Sequence, residues 1–219
     1  DNLMGRSGPD MRHWLGLPAD WPKAHGLTEL KALRDRGVRK PLKEGNCRRM
    51  SDTRPSKILV SACLIGRPVR YDGRAKTLES DWITRWSQAG MLVPLCPETA
   101  AGFAVPRAPA EIEPVFDGSD VLAGAARIID SLGHDQTSGF SRGAKLAVEI
   151  AAREGCHYAL LTDGSPSCGS RMIYSGRHDG QKRAGQGVVA AALKQAGVTV
   201  FAPEQIEELA KTITLNGPS

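Results

Sequence analysis

The chain has 219 residues, 41% of them hydrophobic, and a formal charge of +5 at neutral pH. No run approaches the roughly 18 apolar residues of a membrane span, and residues 1–20 lack the apolar stretch of a secretory leader, so a soluble, cytoplasmic protein with one core of ordinary size is expected. Five cysteines, an odd number without a secretion signal, argue against a disulfide framework and for thiol or metal chemistry in a reducing compartment.

Residues 1–50 hold 11 Lys/Arg against 6 Asp/Glu, whereas residues 51–219 hold 18 against 18. All of the excess charge therefore sits in the first segment, which reads as a basic extension ahead of an α/β domain over 51–219. One helix is expected over 27–36, opened by Thr28. The cluster Arg34, Arg36, Arg39, Lys40, Lys43, Arg48 and Arg49 is either a solvated tail or a weak contact for nucleic-acid phosphates, and no aromatic side chain interrupts it.

From Lys57 the pattern becomes regular. A strand is predicted over 57–62, then a loop through Arg70-Tyr71-Asp72-Gly73. A helix follows near 79–89, with Trp82, Ile83 and Trp86 on a core face, and a strand over 91–95. Residues 96–113, with three prolines and one glycine, predict a long irregular segment of stiff turns. A weaker strand over 126–130 precedes a helix capped by Thr137 or Ser138 and ended by Gly155. A strand over 157–162, an Ala-rich helix over 187–196, a strand over 198–202 and a proline-started helix over 203–213 complete the chain.

Strands alternating with helices predict a parallel sheet with helices on both faces, Rossmann-like, with four main strands. Cys63, Cys96 and Cys168 each follow the end of an apolar run, and the carboxyl ends of parallel strands line one crevice where ligands bind. Three thiols are therefore expected to converge there. Cys156 lies at the other end of its strand, about 20 Å away, and Cys47 falls in the extension. Three thiolates suit zinc or an iron–sulfur cluster. A cubane normally takes four cysteines, and one held by three would leave an iron with an open position, a Lewis acid with affinity for sulfur.

Glu98 sits two residues from Cys96, where a carboxylate can activate water, and Ser165 opens the Ser165-Pro166-Ser167-Cys168 turn. Arg107 and Glu111 flank Pro109 and either pair with each other or face the crevice. Tyr71 is placed to stack on a planar base, and the amides around Gly164 and Gly169 suggest a small anion nest. His134 and His178 read as surface loop residues.

Ser61-Ala62-Cys63-Leu64-Ile65-Gly66 with Arg70-Tyr71-Asp72-Gly73, Cys96-Pro97-Glu98, Pro106-Arg107-Ala108-Pro109-Ala110-Glu111-Ile112 and Ser165-Pro166-Ser167-Cys168-Gly169-Ser170 resemble the thiouracil desulfidase family over residues 56–205. The resemblance implies a [4Fe-4S] cluster bound by Cys63, Cys96 and Cys168, a thiolated pyrimidine as substrate, uracil and sulfide as products, and Glu98 and Ser165 as the catalytic pair. Many relatives carry a lysine shortly before the Ser-Pro-Ser-Cys turn, where this chain has Thr162-Asp163-Gly164. A different class of function, a cluster or sulfur carrier or an electron-transfer module, would use the same cysteines without hydrolysis.

Overall fold

The computed structural model describes residues 56–216. The basic extension over 1–50, with the helix expected at 27–36, its cation cluster and Cys47, lies outside the described residues. Among the described residues, β1 (Lys57–Ser61), β2 (Leu92–Leu95), β5 (Cys156–Leu160) and β8 (Thr199–Phe201) form a four-stranded sheet in the order β2-β1-β5-β8, parallel throughout. The four-stranded parallel sheet expected from the sequence is the observed one. No described helix is long and apolar enough to cross a membrane.

Side-chain alternation along each strand divides the core in two. Ile58 and Val60 of β1 and Tyr158 and Leu160 of β5 point into a cluster with Trp86 and Leu209. Leu59 and Ala159 point the other way, into a cluster with Phe140, Ala144, Val188 and Leu193. Helices α1 (Asp81–Gln88) and α6 (Ile206–Asn216) supply the first face, and α4 (Thr137–Glu154) and α5 (Val188–Gln195) the second. The Ser80 hydroxyl accepts from the Trp82 amide at 3.2 Å and starts α1, whose Trp82 and Trp86 rings stack at 5.8 Å.

Three sequence expectations need correction. Residues 96–113 are not wholly irregular: Pro97 opens a short helix α2 (Pro97–Ala100), and β3 (Ala110–Ile112) pairs antiparallel with β4 (Ile128–Asp130). The weak strand near 126–130 therefore belongs to a separate ribbon. Neither Thr137 nor Ser138 caps α4. Its N-cap is Gln136, without a side-chain bond, and Asp135 Oδ1 accepts from the Thr137 amide at 2.9 Å instead. A second hairpin, β6 (Met172–Tyr174) with β7 (Lys182–Ala184), was not foreseen because its strands are three residues long and flanked by glycine and charge.

The turn bearing Cys168 rests directly on the start of α5. A Cβ on Gly187 would lie 2.3 Å from the Ser167 carbonyl oxygen and 2.5 Å from its carbon, well inside van der Waals contact, and both atoms are backbone. Gly187→Ala is expected to displace this turn and to cost about 1–3 kcal/mol, as other over-packing changes do, measured by urea unfolding against wild type. An unchanged midpoint would show that the turn yields freely.

Candidate active site

Sheet order brings the three cysteines together. β2, β1 and β5 are neighbours, and each ends in a cysteine-bearing turn. Cys63 lies in the 3-10 turn Ala62–Ile65 directly after β1, closed by Gly66 at φ +88°. Cys96 follows β2 as the extended N-cap of α2. Cys168 lies in the turn after β5. Strand order reverses between β1 and β5, the place where α/β sheets bind ligands, and a cavity of about 550 Å³ opens there, lined by Cys63, Cys96, Cys168, Glu98 and Ser165. Cys156 sits at the opposite end of β5, buried and free.

Burial dominates the three thiols and favours their neutral form. Cys63 is pushed up to about 11, with Cys96 adding to the rise while Arg70 and the Thr162 side chain oppose it. Burial likewise raises Cys96 and lifts Cys168 well above the usual thiol range, with Cys63, Glu98 and Cys96 as further contributors. Each thiol thus lies within electrostatic reach of the others. All three are free, and the Cys96 thiol donates to the Val69 carbonyl at 3.6 Å.

Arg107 does not pair with Glu111. Its guanidinium Nη2 donates to Glu98 Oε2, and the two side chains are 12% and 15% exposed, so the pair is shielded from solvent. Arg107 is itself held from several sides: its amide donates to the Tyr71 carbonyl at 2.8 Å, its Nη1 to the Ala108 carbonyl at 2.7 Å. Its charge lies 5.0 Å over the Phe103 ring and 5.2 Å over Phe140, within cation–π range. Glu111 faces the cavity too but takes other partners: the amides of Gly176 at 2.8 Å and His178 at 3.2 Å, with the His178 ring 3.7 Å away. It ties the tip of the β6–β7 hairpin to the cavity wall.

Ser165 Oγ accepts from the amides of Ser167 at 3.1 Å and Cys168 at 3.2 Å, so it shapes the cysteine turn while its own hydrogen stays free. The expected anion nest is not formed. The Gly164 amide donates to the Met172 carbonyl and the Gly169 amide to the Ser165 carbonyl, both at 3.0 Å, and neither is left for an anion. Tyr71 lines the cavity with Arg70 5.8 Å from its ring centroid.

Sequence reasoning missed several wall residues. Asp163 Oδ1 accepts from the Ser170 amide at 2.7 Å, the Ser170 hydroxyl at 3.2 Å, the Arg171 amide at 3.1 Å and the Met172 amide at 3.4 Å, folding the chain back after Cys168. The Asp163-Gly164 pair was the available signal. Lys76, whose ammonium donates to the Asp163 carbonyl at 3.3 Å, and Lys182, 5.6 Å from the Tyr174 ring centroid, put two amines on the cavity wall of a chain that lacks a lysine immediately before the turn. His178 is a cavity residue, not a bystander on a surface loop.

Known proteins resemble this chain. The family model described as 2-thiouracil desulfurase matches residues 58–205. The Bacillus subtilis (strain 168) protein YbbK, itself uncharacterized, is 40% identical over 152 residues, covering 69% of this chain and 99% of YbbK. The solved structure of the [4Fe-4S]-dependent thiouracil desulfidase TudS shares 42% identity at a TM-score of 0.66, covering 73% of this chain and 99% of that one. With the motif-bearing segments all inside the matched region, and both relatives spanned almost end to end, the chain belongs to the 2-thiouracil desulfurase family.

Proposed function

We propose that the chain is a [4Fe-4S]-dependent desulfidase that removes sulfur from a thiolated uracil or a related nucleoside or nucleotide by non-redox hydrolysis. The observation that carries this reading is the meeting of Cys63, Cys96, Cys168, Glu98 and Ser165 on one cavity. Family membership and the cluster dependence of TudS support it.

The residues present fit such a cofactor. Thiols are the donors that iron–sulfur clusters select. They line the walls of one cavity, and all three are free of disulfides. Thr162 Oγ1, buried on the same cavity without a hydrogen-bond partner, adds a donor in need of an acceptor. Cys63, Cys96 and Cys168 would be the ligands, and a cluster held by three thiolates supplies an open iron, a Lewis acid with affinity for sulfur.

The protein's own groups divide the remaining work. Glu98, held by Arg107 through one oxygen, keeps the other for a water molecule and takes that water's proton as it attacks the carbon bearing sulfur. Arg107 fixes the direction of the carboxylate. Ser165, with both its accepted bonds supplied by backbone, offers its hydrogen to a heteroatom of the substrate. Tyr71 presents a ring to the planar base. A C–O bond forms, the C–S bond breaks, sulfide leaves, and no electrons are exchanged.

Anaerobically reconstituted protein is expected to bind about four irons and to release sulfide from thiouracil or its nucleotide. Reversible reduction without sulfide from any member of a thiobase panel would overturn the reading in favour of a carrier or electron-transfer module. The shielded Glu98–Arg107 pair on the cavity favours hydrolysis, since a carrier has no use for a poised base.

A further inference from the structure

Thr162, the first residue past the buried end of the β5 run, is 8% exposed and lines the cavity beside Cys63. Its Oγ1 is fully buried and meets no hydrogen-bond partner. A buried hydroxyl left unmatched is costly, so the position calls for an acceptor. The Thr162 amide, by contrast, donates to Ser61 Oγ at 3.1 Å. That bond takes a lone pair of Ser61, a side chain only 2% exposed, and leaves its hydrogen for another acceptor.

We propose, on the reading that the cavity cysteines hold an iron–sulfur cluster, that Thr162 and Ser61 are positioning residues whose hydroxyls donate hydrogen bonds to sulfurs of that cluster and set its reduction potential. An O–H···S bond draws electron density from a ligating sulfur, which favours the reduced state and raises the potential. The hydrogen bond from the Thr162 amide to Ser61 Oγ couples the two donors, so one contact between the ends of β1 and β5 orients both. In an enzyme whose reaction moves no electrons, the potential reports on this arrangement independently of turnover.

The test uses anaerobically reconstituted holoprotein, with midpoint potentials taken from dye-mediated titrations followed by electron paramagnetic resonance. Thr162→Val, which keeps the side chain's shape, should lower the midpoint with iron content unchanged. Thr162→Ser should keep the wild-type value, and Ser61→Ala should lower it. Should the valine variant fail to load iron, Thr162→Ala gives the same readout with less bulk. A wild-type potential in loaded Thr162→Val or Thr162→Ala overturns the assignment while leaving the functional reading intact. Wild-type protein that takes up no cluster overturns the functional reading and the hydroxyl assignment together.

Discussion

Cys168→Ser is expected to lose iron and abolish sulfide release while the apoprotein keeps its fold. Serine differs from cysteine by one atom and fits the same turn, where Ser165 already accepts from the Ser167 and Cys168 amides and Asp163 gathers the chain that follows. What changes is donor chemistry: a hydroxyl is a poor ligand for iron compared with a thiolate. Circular dichroism should be unchanged, and iron per chain should fall from about four to a small fraction of that. Cys156→Ser is the matched control. It removes an equally buried thiol at the far end of β5, roughly 17 Å away along a five-residue strand, and should leave iron content and turnover as they are. Sulfide release that survives in Cys168→Ser would remove the cofactor from the reaction.

Glu98→Gln is expected to lower turnover by about 10²–10⁴-fold, the usual contribution of a positioned base, with iron content and substrate affinity little changed. Glutamine keeps the size of the side chain and a carbonyl to accept from Arg107, but cannot take a proton from water. Arg107 should matter almost as much, by a different route. Arg107→Met leaves the Glu98 carboxylate without its counter-charge and without the donor that sets its direction, and turnover should fall with iron content unchanged. Arg107→Lys should recover only part of the loss, because an ammonium lacks the planar fork that pairs with Glu98 while lying over Phe103 and Phe140. If Glu98→Gln turns over normally, the base is another group, and His178 on the same cavity is the next to change.

The parallel sheet was legible because its central strands, β1 and β5, are largely apolar and buried, and the cysteine trio because each thiol stands in the segment that follows an apolar run. What escaped reading depends on contacts between distant segments. Nothing near Arg107 indicates that it reaches Glu98 and not Glu111, since that choice follows from β3 pairing with β4 and turning Glu111 toward the hairpin. The hairpin itself, at three residues a strand, carries too little periodicity to separate from a loop. Gly164 and Gly169 suggested a nest on composition alone, and their amides go to ordinary carbonyls once the chain folds back. Asp163 was assigned no role from the sequence. Its four accepted bonds appear only when residues 170–172 return past it.

The site is assembled from turns after β1, β2 and β5, segments well separated along the polypeptide, and the last of them leans on Gly187 at the start of α5. On a ribosome, therefore, nothing resembling this cavity exists until most of the domain has emerged. The first two cysteines must wait, exposed and unpartnered, for the third. On the proposed function, delivery of iron and sulfur would in consequence follow synthesis, and a shortage of either in the growing cell would leave completed chains folded but idle.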